Sequence, residues 1–217
     1  MKRLTTIGLA LLTLLVLNAI AVASASAIEG FLPQPKTGTL EGGPTTVSTE
    51  TKGGKIECKT ILGEVTFDKD YHSTGTLKLS GCKLLGFPIN SLGHAKEEIS
   101  LGALVMVCLK AGSSQFGIAL ETDEPDHLEA PALGTLYVLT GLAIGSFLTA
   151  GKATKFVFDI TGTEGKPTIK ECFDEAGNSK KHSLTLEMNH NGKPETASLN
   201  IESGGLKLAE VEELMNA

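Results

Sequence analysis

The amino-acid sequence predicts an all-β protein, an antiparallel β-sandwich or barrel of about nine strands with a short helix at its C-terminal end. Three observations predict it. Six runs alternate apolar and polar residues with a period of two, as strands with one buried face do. Glycine and Asn-Gly punctuation separates such runs, as hairpin turns require. Only two short stretches, Leu92–Glu98 and Leu208–Met215, carry apolar residues at helical spacing.

In chain order, residues 1–27 read as an export signal. Lys2 and Arg3 form a positive start, Ile7–Val22 an apolar middle, and Ala23-Ser24-Ala25 and Ala25-Ser26-Ala27 two overlapping small-x-small cleavage sites. Residues 28–51 form a Gly/Pro/Thr-rich N-terminal extension, either a stalk or a first strand near Thr45–Thr49. Residues 52–217 read as one β-rich domain. Its alternating runs centre on Ile56 and Cys58, Val65 and Phe67, Leu77 and Leu79, Phe156 to Ile160, Leu184 to Met188, and Ala197 to Ile201. Ile99–Leu109 is apolar on both parities, as a strand covered on both faces would be, and Gln115–Glu121 adds another. Ala130–Gly151 carries no charge over 22 residues, long enough to cross a bilayer. Gly134, Gly141, Gly145 and three threonines interrupt it, so it reads instead as strands Thr135–Thr140 and Leu142–Thr149 joined near Gly141. Turns are expected at Glu175–Ser179 and Asn189–Pro194, and a marginal helix at Leu208–Met215.

Composition excludes some partners. The chain of 217 residues has a formal charge of −6, and without Lys2 and Arg3 it holds 17 basic against 25 acidic residues, or −8. That field repels phosphate backbones and anionic headgroups, so neither nucleic acid nor stable membrane insertion is expected. Trp is absent and aromatics are 5%, too few for a base- or sugar-stacking platform. An extracellular or envelope partner is expected. No cofactor is called for: Gly145–Lys152 departs from a phosphate loop in spacing and in the missing Ser or Thr, and no His-Glu-x-x-His is present.

The domain holds four cysteines, Cys58, Cys82, Cys108 and Cys172. An even count in an oxidising compartment predicts two disulfides, with three pairings open. The preferred set is Cys58–Cys82 and Cys108–Cys172: the first brackets a local hairpin and closes cheaply, and the second follows by elimination. Each bridge is worth about 3–4 kcal/mol by loop closure. No Cys-x-x-Cys spacing supports zinc.

The stretches Gly53-Gly54-Lys55-Ile56-Glu57-Cys58, Gly63-Glu64 and Gly75-Thr76-Leu77-Lys78-Leu79-Ser80-Gly81-Cys82 resemble a pattern in small exported β proteins of soil actinobacteria, a group without a characterised activity. The resemblance covers mainly residues 28–82. It implies export and supports the first cystine pair, and it implies no chemistry.

Two clusters carry ligand chemistry. Asp123, Glu124 and Asp126, within the acidic stretch Glu121–Glu129, are the candidate metal ligands, since gathered carboxylates suit Ca²⁺. The structural alternative is a solvated acidic loop. Asp68, Asp70 and His72 alternate as a small transition-metal site would, or else tip a polar hairpin. No Gly-x-Ser-x-Gly elbow marks a nucleophile, and no catalytic residue is assigned. The leading expectation is an exported, non-enzymatic β domain with a structural or partner-binding role. The alternatives are an extracellular hydrolase with a carboxylate/His site, and a carrier of small apolar ligands in a β-barrel cavity.

Overall fold

A computed structural model describes residues 31–32, 37–51, 54–68, 72–113, 115–148, 151–174, 177–188 and 192–214. Half of the expected turn at Asn189–Pro194, residues 189–191, falls outside these residues, as does the whole predicted export signal. The strands are β1 (Phe31–Leu32), β2 (Thr37–Gly42), β3 (Thr45–Thr49), β4 (Lys55–Cys58), β5 (Thr60–Phe67), β6 (His72–Ser80), β7 (Lys83–Leu84), β8 (Phe87–Pro88), β9 (Asn90–Ser91), β10 (Glu98–Lys110) and β11 (Phe116–Thr122). They continue as β12 (Asp126–Ala130), β13 (Thr135–Thr140), β14 (Leu142–Phe147), β15 (Gly151–Ile160), β16 (Gly162–Thr163), β17 (Lys166–Pro167), β18 (Glu171–Phe173), β19 (Ser179–Lys181), β20 (Thr185–Met188) and β21 (Glu195–Leu214).

Eight strands close a barrel in chain order. Antiparallel pairing runs β2, β5, β6, β10, β11, β14, β15, β21 and back to β2. The choice between sandwich and barrel is therefore settled as a barrel. Strand direction alternates, so β3–β4, β7–β9 and β12–β13 all leave from one end. There β9, β12, β13 and β20 pair into a second sheet, while β3, β4 and β7 continue the barrel wall. Together they cap that end. The segment between β15 and β20 runs outside the barrel as a strap, where β18 pairs with the end of β10.

Side-chain alternation explains the core. Ile99, Ala103, Val105 and Val107 of β10 face inward beside Ile118 and Leu120 of β11. Phe147, Phe156 and Phe158 pack edge-to-face within the barrel, a geometry the ring quadrupole favours. The outward residues Met106 and Cys108 join Ala119, Leu142, Ile144 and the strap's Cys172 in a second buried cluster. This is why Ile99–Leu109 is apolar on both parities: the lumen covers one face and the strap covers part of the other. Both expected disulfides are present, Cys58–Cys82 and Cys108–Cys172. The first ties the cap to the wall, and the second pins the strap.

Gly141 explains the apolar run 130–151. β13 belongs to the second sheet and β14 to the barrel, and the chain passes between them at φ +111°. A methyl group at Gly141 would sit 2.2 Å from the Ser183 carbonyl.

Two expectations are corrected. The C-terminal segment is not a helix: Glu195–Leu214 is one strand. Its early part pairs with β3 in the cap and its later part with β15 and β2 in the barrel. A ten-residue helix alone is marginal, whereas here Leu206, Leu208 and Leu214 are buried and pair the open edges of two strands. Nor is the described part of 28–51, residues 31–32 and 37–51, a stalk. It supplies β2, with Leu40 fully buried, as well as β3 over the expected Thr45–Thr49.

β21 bends where Ser203 takes φ +55° and Gly204 lies under Phe158. A methyl at Gly204 would fall 2.4 Å from that fully buried ring. Gly204→Ala is expected to cost about 1–3 kcal/mol by overpacking, read as a lower urea midpoint with an unchanged slope.

Candidate functional site

The capped end collects the backbone strain of the molecule. Among the described residues, four non-glycine residues have positive φ: Leu85, Glu97, Glu164 and Ser203. Leu85 and Glu97 lie in cap turns, Glu164 in the β16–β17 turn of the strap where it meets β3, and Ser203 where β21 passes from cap to barrel. Leu85 is the outlier by chemistry. With Gly86 it forms the two-residue turn between β7 and β8, at φ 52° and 85°. Such turns take Asn, Asp or Gly, because other side chains clash with the backbone there at about 1–2 kcal/mol. Leu85 is also 61% exposed, so no packing inside this chain repays the strain. The Ile56–Leu84 register sets it beside Lys55. Phe87, Leu92 and Leu136 are further exposed apolar side chains of the cap.

Next to this tip the cap holds a cup of about 200 Å³. The Tyr137–Met188 and Leu139–Leu186 pairs of β13 and β20 set its apolar wall, with Tyr137 and Leu186 buried and Met188 half exposed. Burial holds the Tyr137 phenol above its ordinary range. The β3–β4 turn supplies Thr49, Thr51 and Gly54; a methyl on Gly54 would lie 2.2 Å from the Thr49 hydroxyl. The Thr51 hydroxyl donates to Glu195 at 2.6 Å. Lys193 also lines the cup and has no ion-pair partner among the described residues.

The sequence-predicted ligands do not gather. Asp126 opens β12, and its carboxylate accepts the Ser91 hydroxyl at 2.8 Å. Ser91 also accepts the Ser100 N–H at 3.0 Å, so this group ties β9, β10 and β12 together. Asp123 lies against Gly102, its N–H donating to the Gly102 carbonyl at 2.9 Å, and Glu124 is exposed. No three His, Cys, Asp or Glu side chains among the described residues converge as a metal requires. Asp68 stands at the far end of β5, away from the cap, while Asp70 and the side chain of His72 lie outside the described residues. Sequence reasoning missed Leu85: its signal was Leu85-Gly86, a turn pair hidden in an apolar stretch.

Between barrel and cap, an apolar void of about 40 Å³ is bounded by Leu77, Leu101, Leu120 and Leu139. Broader hollows of about 680 Å³ and 370 Å³ are shallow troughs on the outer wall, rich in threonine.

Asp126 gives the cap a pH signature. Burial raises its pKa, opposed by the Ser91 hydroxyl and by His94 and His127. A raised carboxyl adds stability that is complete below the unfolded value of about 3.9 and is lost as pH rises through the folded value. Asp126→Asn, a neutral stand-in for the protonated acid that still accepts from Ser91, is therefore expected to gain stability relative to wild type at pH 7 and to lose that advantage as pH falls to 4. Urea midpoints at both pH values check this, and an equal difference at each would contradict it. No family model, curated protein or solved structure matches the chain.

Proposed function

We propose that this chain is an exported, non-catalytic β-barrel that binds a partner outside the cytoplasm through its capped end. The observation that carries the reading is Leu85, an exposed apolar side chain held in a conformation that disfavours it. Strain retained without repayment inside the fold points to repayment by contact with something else. The two disulfides suit an oxidising compartment, and the signal-like residues 1–27 suit export. A carrier barrel needs a void of several hundred cubic ångströms, and the void here is about 40 Å³. A hydrolase built on the singled-out acids needs them together, and Asp68 and Asp126 stand at opposite ends of the barrel.

Leu85→Asn separates strain from stability. Asn tolerates positive φ and exposes no apolar surface, so the variant is expected to gain about 1 kcal/mol in denaturant unfolding. A photo-crosslinking side chain at Phe87 or Leu92, in protein taken from the exported fraction, is expected to give discrete adducts. The same group at Leu148, at the plain end, is expected to give none. Equal labelling at both ends, or none at the cap, contradicts the reading.

A further inference from the structure

We propose that the partner of the capped end is a second copy of this chain, each copy seating Leu85 in the other's cup beside Tyr137, Leu186 and Met188. This rests on the reading of the capped end as a binding surface and names its occupant.

Size, placement and charge support it. A dry cavity of about 150 Å³ accommodates benzene, so the cup of about 200 Å³ has room for the four-carbon side chain of leucine. Its walls are apolar where that side chain would lie, and Met188 at the rim is 51% exposed. Knob and cup wall are neighbours in the fold. Leu85 lies level with Lys55, the neighbour of Gly54 in the cup wall, so the tips of the β3–β4 and β7–β8 hairpins point the same way. A knob next to its own complementary hole is the condition for an isologous twofold contact, in which each copy gives one knob and receives one.

The charges fit the same exchange. Lys83, on the Leu85 side of its hairpin, has no ion-pair partner among the described residues. Glu195 at the cup is bonded only to the Thr51 hydroxyl among them, so the cup offers an anion to the knob's Lys83, whereas Glu57 beside Lys83 is already paired with Lys55 of its own chain. Lys83 of one copy and Glu195 of the other therefore make one complementary pair at each of the two related contacts.

Sedimentation velocity of the mature protein, from micromolar up to about 1 mM, tests the proposal. The wild type is expected to pass from monomer to dimer without larger species. Leu85→Asn and Met188→Lys, both at exposed positions, are each expected to weaken the dimer by about 100-fold or more, since every dimer loses two contacts. Mixing the two variants restores one intact knob facing one intact cup, so the mixed dimer is expected to form more tightly than either variant alone. A wild type that stays monomeric throughout overturns the proposal, as does dimerisation untouched by both substitutions. If it falls this way while the crosslinker at Phe87 still captures a different chain, only the choice of occupant is lost. If the crosslinker captures nothing either, the binding reading falls with it.

Discussion

A barrel is free of edges only while its first and last strands stay paired. Here that seam is β2 against β21, with Gly38 opposite Leu208 and Leu40 opposite Leu206. Both Leu40 and Leu206 are fully buried. The seam joins segments from near the two ends of the described chain, so closure waits on one of the longest-range contacts in the fold. Remove β21, and β2 and β15 each expose a row of unpaired backbone groups, while the phenylalanines behind them meet water. The second sheet depends on the same strand, because β20 and β3 pair with the early part of β21 before it enters the barrel.

The two ends of the barrel are built differently, and the difference follows from direction. Strands alternate, so excursions that follow the first, third, fifth and seventh members of the barrel series gather at one end, and the sequence spends its long connections there. A rigid, filled barrel then serves as a base that holds cap turns in fixed positions, the usual relation of a scaffold to its functional loops. The two disulfides reinforce this division. Cys58–Cys82 joins β4 to the residue after β6, and Cys108–Cys172 fastens the strap over the outer cluster. Neither is needed to supply a core, since the chain buries one without them.

Much of this architecture was legible from residue alternation. The period of two located β5, β6, β15 and the early part of β21, the double-sided apolar run marks β10 as covered on both faces, and the cystine pairing followed from a short loop for the first bridge and elimination for the second. What escaped was governed by tertiary contact. Leu208–Met215 has apolar spacing compatible with a helix, and only the open edges of β2 and β15 make a strand the better solution. Asp123, Glu124 and Asp126 are neighbours in sequence, but β12 begins among them and sends their side chains to different surroundings, with Asp126 accepting from Ser91 of β9. Leu85 escaped because its importance lies in a backbone angle, which no composition or period reports.

Closure through β21 can be examined one amide at a time. Native-state hydrogen exchange of Leu206–Leu208 should match that of Phe156–Phe158 in β15, with all of them exchanging only through global unfolding at the free energy obtained from denaturant. Exchange of Leu206–Leu208 at a much lower free energy, as a fraying C-terminal segment would show, would contradict the closed barrel on which the rest of the structure depends.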